Sequence, residues 1–289
     1  GLSSKRRPED ELYNAPGMRS ATRPRLLGQA TRGKTAPNRL RQPDTFLAVA
    51  FAGFLGRLPG VYVDLGYGAY PVTSVETLHR LRPFNPALRV LGVEIDPARV
   101  AEALPYAEPG LDFRLGGFNL PLRPDERAGV IRAFNVLRQY DEAAVAEALA
   151  ALALQLAEGG LLIEGTCDPT GQLLTFNLYQ KQSAALARAG LVLAPRLRSS
   201  FRPRQLQAVL PKNFIHHAEP GGPIDRFFGA WQACWQGARA QGRDARQVFA
   251  HSAHCLAERH GYRLDRRPAL LRRGFLWLGS DWPAAHPGG

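Results

Sequence analysis

Two short stretches carry residue types that can do chemistry. Asp64-Leu65-Gly66-Tyr67-Gly68 sets a carboxylate two residues ahead of the first of two glycines, and Glu94-Ile95-Asp96 sets two more carboxylates further on. Gly66 and Gly68 allow a tight turn that would strain most side chains. The alternation from Val61 to Asp64 predicts a strand before that turn, and Ser74 to Leu81 predicts a helix after it. A strand–loop–helix unit points backbone N–H groups and a positive helix end into one crevice, which suits a ligand with polar or anionic groups. Arg89 to Ile95 reads as a second buried strand. Its Glu94 falls about 25 residues past the loop, near the interval at which nucleotide-binding βαβ units place the acid that receives ribose hydroxyls. The chemistry on offer is the grip of a nucleoside.

A dinucleotide would call for a third glycine, and Pro71 stands in that place. The acid before a two-glycine loop instead resembles the first motif of the class I S-adenosylmethionine (SAM)-dependent methyltransferases. The resemblance covers about residues 45–198. It implies that Asp64 lies near the methionine amino group, that Gly66, Tyr67 and Gly68 pass under the ligand, that Glu94 takes both ribose hydroxyls, and that Asp96 with Pro97 opens the next helix. Where the family usually has an acid for the adenine amino group this chain has Gly117, so backbone groups and the Phe118 ring are the expected adenine contacts. A similar sheet that holds no ligand is the alternative.

Val130 to Asn135 predicts a fourth strand, whose end belongs beside the reacting methyl group because ligands of open α/β sheets sit at the carboxyl ends of strands. Asn135 resembles the residue that opens the fourth motif of many nucleic-acid methyltransferases, without the Pro-Pro-aromatic sequence that follows it in amino-methylating enzymes. Arg138, Gln139 and Tyr140 add donors and a ring, and Asn135, Tyr140 and Arg138 are the candidate catalytic residues. A strand end with a polar helix cap is the plainer reading of each. Arg132 must face the crevice or pair with an acid, and Glu164 on the following strand is the expected mate. Cys167 is a weak candidate nucleophile, since activation would need a lowered thiol pKa and no surrounding Pro-Cys motif supports it. His216-His217 offers a base without a partner. His251, His254 and Cys255 share a helical turn, but no second cluster with ligand spacing follows, so no metal is expected.

The elements that position these residues predict an α/β fold: a Rossmann-like, mostly parallel twisted sheet with antiparallel terminal strands, a basic N-terminal arm and a mainly helical C-terminal addition. Pro43-Asp44 opens a helix over 45–57, ended by Pro59-Gly60. Ala143 to Ala157 is an alanine-rich helix capped by Gly159-Gly160, followed by a fifth strand over 161–166. The family's long helix between strands five and six is missing or displaced. Instead, a turn at 168–171 leads to a returning strand at 172–179, with a seventh strand over 191–198. The expected divisions are an arm at 1–43, a SAM-binding core at 44–200, and a helical substrate or lid region at 201–289. In that last region 204–210, 224–241 and 244–260 read as helices, and 262–264 and 274–278 as short strands.

The formal charge is +12 over 289 residues, and residues 1–43 alone carry +7. Such an excess favours a polyanionic partner, RNA or DNA. All 37 basic residues except Lys5, Lys34, Lys181 and Lys212 are arginine. Lys34, Arg39, Arg41, Arg196, Arg198, Arg202 and Arg204 are the candidate phosphate contacts, with Phe201, Trp231 and Trp235 as stacking candidates. Phe227, Phe228, Trp231 and Trp235 also have the spacing of a buried helix face. A small-molecule or protein acceptor, or binding without chemistry, are the alternatives. No apolar run of 18 residues appears, which makes a cytoplasmic protein the default expectation. Three cysteines without C-x-x-C spacing argue against a disulfide framework.

Overall fold

A computed structural model describes residues 26–31 and 35–286. One eight-stranded sheet runs through the chain in the order β3-β2-β1-β4-β5-β6-β7-β8. Its strands are β1 Val61–Leu65, β2 Val90–Glu94, β3 Leu111–Leu115, β4 Ala128–Phe134, β5 Leu156–Cys167, β6 Leu174–Gln182, β7 Ala185–Leu193 and β8 Leu276–Leu278. The first five are parallel, and each later strand is antiparallel to its neighbour. This is the Rossmann-like sheet implied by the sequence. The chain winds outward from β1 to β3 and returns to β4 beside β1, so the switch of direction lies between β1 and β4, where open α/β sheets form their ligand crevice.

The helices are α1 Arg41–Ala50, α2 Ala52–Gly56, α3 Val72–Leu81, α4 Pro97–Ala103, α5 Glu142–Gln155, α6 Lys212–Ile215, α7 Pro223–Arg239, α8 Ala245–His260 and α9 Pro268–Leu271. One face of the sheet is covered by α1, α3, α4 and α9, through Phe46, Leu78, Val100 and Leu270. Val145, Ala148 and Leu152 of α5 cover the parallel part of the other face. Beyond them α7 and α8 pack on β7 and β8 through Phe227, Trp231, Trp235 and Phe249. Trp231 and Trp235 are fully buried and Phe201 lies against both, so these rings serve the core and are unavailable for base stacking.

Several boundaries differ from the sequence expectation. The first helix starts at Arg41 and breaks at Phe51, whose backbone leaves the helical region. Helix α5 ends at Gln155 and β5 begins at once, so Gly159 and Gly160 lie within the strand and cap nothing. The seventh strand runs over Ala185–Leu193, because Ser183 and Ala184 adopt positive φ and close a two-residue hairpin with β6. No helix intervenes between β5 and β6, which the Asp168–Leu173 turn joins. The segment at 203–209 is a 3-10 helix. Of the two short C-terminal strands, β8 joins the main sheet and Leu264 contributes a single bridge to it. Cys234 and Cys255 form a disulfide between α7 and α8, against the expectation from their spacing. Among the described residues no helix is long and apolar enough to cross a membrane.

The expected Arg132–Glu164 pair does not form. Arg132 on β4 lies in register with Asp64 on β1, and its guanidinium reaches Asp64 Oδ2 at 3.0 Å and Asp44 Oδ1 of α1 at 2.7 Å. Glu164 lies one residue out of register with Arg132, so strand alternation points it to the opposite face. Thr77 accepts a third bond from Arg132 at 2.7 Å, Arg80 donates to Asp44 at 2.6 Å, and the Tyr62 ring lies 5.4 Å beneath the guanidinium. All three charged partners of the Asp44–Arg132–Asp64 chain are buried. Burial alone would push the guanidinium pKa down, but Asp64, Tyr62 and Asp44 hold it above its ordinary value. Removing the cation leaves the buried Asp64 with no positive charge beside it and Asp44 with Arg80 alone. Arg132→Met is expected to lower unfolding stability by about 3–5 kcal/mol in a urea titration, with part recovered on adding Asp44→Asn; a loss within error would refute the pairing.

Candidate functional site

The loop after β1 stands between the two predicted carboxylates. Gly66 has φ +70°, with Val136 2.7 Å from where a Cβ would sit, and Gly68 has φ +91° with open space in that direction. Gly66 therefore tolerates no side chain, and Gly68 faces the crevice. Asp64 Oδ2 accepts bonds from Thr73 Oγ1 at 2.7 Å and Ser74 Oγ at 2.8 Å, besides Arg132. The acid is thus fixed by the first turn of α3 and partly neutralised before any ligand arrives. Glu94, also buried, accepts Gly68 N at 3.0 Å on Oε2 and Ile95 N at 2.9 Å on Oε1, with Arg99 at 3.5 Å. The two carboxylates therefore bracket one glycine loop. Asp96 caps α4 by accepting Ala98 N, as expected. Tyr67 lines the crevice and packs its ring on Phe113, 5.4 Å between ring centres, and its hydroxyl meets Arg99 O at 3.4 Å. Burial, with Glu94 and Asp64 nearby, pushes its pKa well up.

A strap of chain at residues 26–31 lies over this crevice, and nothing in its sequence foretold it. Leu27 N donates to Asn119 Oδ1 at 2.9 Å, and Leu27 O accepts Phe118 N at 2.7 Å. A Cβ on Gly117 would meet Leu27 O at 1.9 Å, so only glycine there permits the strap's approach. Gln139 Nε2 donates to Gln29 O at 3.2 Å, and Arg99 donates to both Thr31 O and Thr31 Oγ1. Gly28 rests on the rings of Phe118 and Tyr140, which meet edge to face at 5.5 Å. Thr31 lies between two recesses that share Leu65 and Gly66. One reaches Asp64, Gly68 and Asn135, and the other reaches Glu94, Gly117 and Phe118. Each holds about 20 Å³ of water-accessible space with the strap seated, room for one or two waters.

The candidate catalytic residues are not gathered at one point. Asn135, at φ +59°, lines the Asp64 recess, but its amide is committed to the end of β5: Oδ1 accepts Cys167 N at 3.0 Å and Nδ2 donates to Cys167 O at 3.3 Å. Tyr140 lines neither recess; its ring packs behind Phe118, which lines the other one. Arg138 is exposed and donates to Ala208 O at 3.1 Å, tying the β4 end to the C-terminal region. His217 is on the surface against Glu142, 2.7 Å away, at the start of α5. Cys167 is buried, which pushes its thiol pKa up against the pull of Arg39 and Asn135; that is the reverse of an activated nucleophile.

The phosphate candidates divide. Lys34 lies outside the described residues. Arg39 is buried and donates from Nε to Cys167 Sγ at 3.1 Å, inside the Asp64 recess and away from the surface where phosphate contact was expected. Arg41, Arg196, Arg198 and Arg204 are exposed, with Arg204 bonded to Asp225 at 2.8 Å. Arg202 is half-buried and donates to Phe201 O and Ser199 O. Sequence reasoning missed Thr73, Ser74, Arg99 and the strap. Hydroxyls in the first turn of a helix that follows an acid–glycine loop are the signal that would have found the first two.

No family model matches the chain, and no curated protein matches it. Among solved structures it is similar to the magnesium protoporphyrin IX methyltransferase of Synechocystis PCC 6803 with bound SAH, at 22% identity over 43% of this chain and 55% of that one, TM-score 0.31. It is similar to the SAM-bound amino pentose methyltransferase CalS10 of Micromonospora echinaspora at 14% identity, over 53% and 70%, TM-score 0.32. It is also similar to the [4+2]-cyclase SpnF at 19% identity, over 41% and 44%, TM-score 0.30. The match thus spans little more than half the length of the Synechocystis enzyme. Likenesses this distant leave the reaction open.

One carboxyl apart from the crevice is strongly perturbed. Burial raises Glu164 from 4.5 to about 7, only partly opposed by the bond from Asn177 Nδ2 at 3.0 Å. A carboxyl raised in the folded state contributes stability that is complete below its unfolded pKa and lost as pH rises through about 7. Glu164→Gln is expected to match the parent near pH 4.5 and exceed it by about 3 kcal/mol at pH 8 in denaturant titrations; a difference independent of pH would contradict the assignment.

Proposed function

We propose that the chain is a SAM-dependent methyltransferase acting on a nucleic acid. The observation that carries the cofactor reading is the bracketing of the Gly66–Gly68 loop by Asp64 and Glu94 at the switch between β1 and β4. The donor set fits the cofactor: a buried carboxylate on the ribose side, a second fixed acid on the amino side, backbone amides at the loop, and two rings at the base. With the strap seated both recesses are narrow, so this reading expects residues 26–31 to shift when the cofactor binds. When bound, the cofactor supplies an electrophilic methyl on its sulfonium. Glu94 would exchange Gly68 N for ribose hydroxyls, and Phe118 with Tyr140 would flank adenine. Asn135 would hold the ends of β4 and β5 together beside the acceptor. Alignment at near-attack distance is the main contribution such a site makes.

The acceptor reading rests on charge. Gly171 packs against the Arg39 backbone, Arg196 N donates to Gln172 O, and Gly274 packs against Pro195 and Leu197. These contacts bring the segments that carry exposed Arg41, Arg196, Arg198, Arg272 and Arg273 close to the β5–β6 turn, and this reading takes them as one basic rim. A polyanion could lie along it.

Calorimetry with SAM and with its demethylated product should show binding by the parent and at least a tenfold loss in Glu94→Gln; no heat with either ligand overturns the cofactor reading. A tritiated-methyl assay on RNA, DNA and protein should label nucleic acid, and label confined to small metabolites overturns the acceptor. Arg196→Glu with Arg198→Glu should reduce the slope of log affinity against log salt by about 2; an unchanged slope removes the rim from the interface.

A further inference from the structure

A recess of about 330 Å³, lined by none of the glycine-loop residues, lies between α7 and α8. Against it stand Cys234 of α7 and Cys255 of α8, and beside them His260, the last residue of α8. One sulfur from each cysteine and a ring nitrogen of His260 lie within 4.8 Å of one another. His251, His254 and Glu258 line the same recess. In the sequence only the α8 residues are visible as a cluster. The missing ligand comes from a helix 21 residues earlier, brought alongside by the aromatic packing of Trp231 and Trp235 on Phe249.

We propose that Cys234, Cys255 and His260 form a binding site for a zinc-class divalent ion when the disulfide is reduced. A soft-to-borderline ion favours two thiolates and an imidazole in a tetrahedron. With metal–sulfur bonds of about 2.3 Å the sulfurs would stand about 3.8 Å apart. Two helices already joined through these residues can meet that by side-chain rotation. The fourth position faces the recess, where His251, His254, Glu258 or solvent can fill it. The exchange balances: a dithiol reductant gives two electrons and two protons to the Cys234–Cys255 bond, is itself oxidised to a disulfide, and leaves two thiols. The ion then displaces both thiol protons as it binds. The same pair of helices is therefore fastened in either state, covalently when oxidised and by the ion when reduced. No part of this depends on the cofactor reading.

Cobalt(II) provides the probe, since thiolate ligands give it intense charge-transfer absorption and a tetrahedral site gives it strong visible bands. The full chain, reduced with a phosphine and titrated under argon, is expected to bind one equivalent with both features, displaced by zinc. The oxidised chain should show neither. His260→Ala should weaken binding at least tenfold with its helical circular dichroism intact, and Cys255→Ser should remove most of the charge-transfer intensity. Should that serine variant unfold, the oxidised parent serves as the blank. Absence of charge-transfer absorption in the reduced parent at millimolar cobalt, or equal affinity in His260→Ala, would overturn the site.

Discussion

The buried Asp44–Arg132–Asp64 chain is the interaction on which the rest of the molecule depends. Arg132 enters a strand that is otherwise apolar, and a guanidinium in that position is tolerable only because two carboxylates and a threonine hydroxyl receive it. Its two acids come from α1 and β1, while Thr77 and Arg80 come from α3. One side chain thus fixes the helix before the sheet, the first strand, the helix after the glycine loop and the fourth strand. Those are the elements that shape one side of the crevice.

That arrangement also sets the electrostatics of the site. Asp64 reaches the crevice already bonded to Arg132, Thr73 and Ser74, so its position is determined by the fold and its charge is partly spent. Glu94 has weaker ties. Its partners are a loop amide, the amides that follow it and a more distant Arg99, all at the surface of the crevice. A ligand can replace the Gly68 bond with its own donors without disturbing the sheet. The two acids, alike in the sequence, therefore differ in kind: one builds the site and the other is free to exchange partners within it.

The glycine loop, the strands beside it and the sequence of helices were legible because their signals are local: alternation from Val61, glycines at 66 and 68, and an acid at the end of the next strand. What depended on distant contacts was not. Asp44 is 88 residues from Arg132, and only strand register places Asp64 beside it in preference to Glu164. Gly159 and Gly160 imitate a helix cap, yet β5 takes them because its pairing with β4 begins at Leu156. Residues 26–31 have no periodicity, since their bonds run to Asn119, Phe118, Arg99 and Gln139 and not to one another. Tyr140 and Asn135 are five residues apart in sequence, but the turn after β4 leaves Asn135 on the Asp64 recess and sends Tyr140 onto the Phe118 ring.

The strap and the carboxylates make a joint claim that hydrogen–deuterium exchange can test directly. With saturating demethylated cofactor, amides at 66–68, 94–96 and 116–119 should gain protection, while those at 26–31 change in the same titration as the strap shifts with the ligand. Protection confined to other parts of the sheet, or no change at 66–68 and 94–96, would contradict the account.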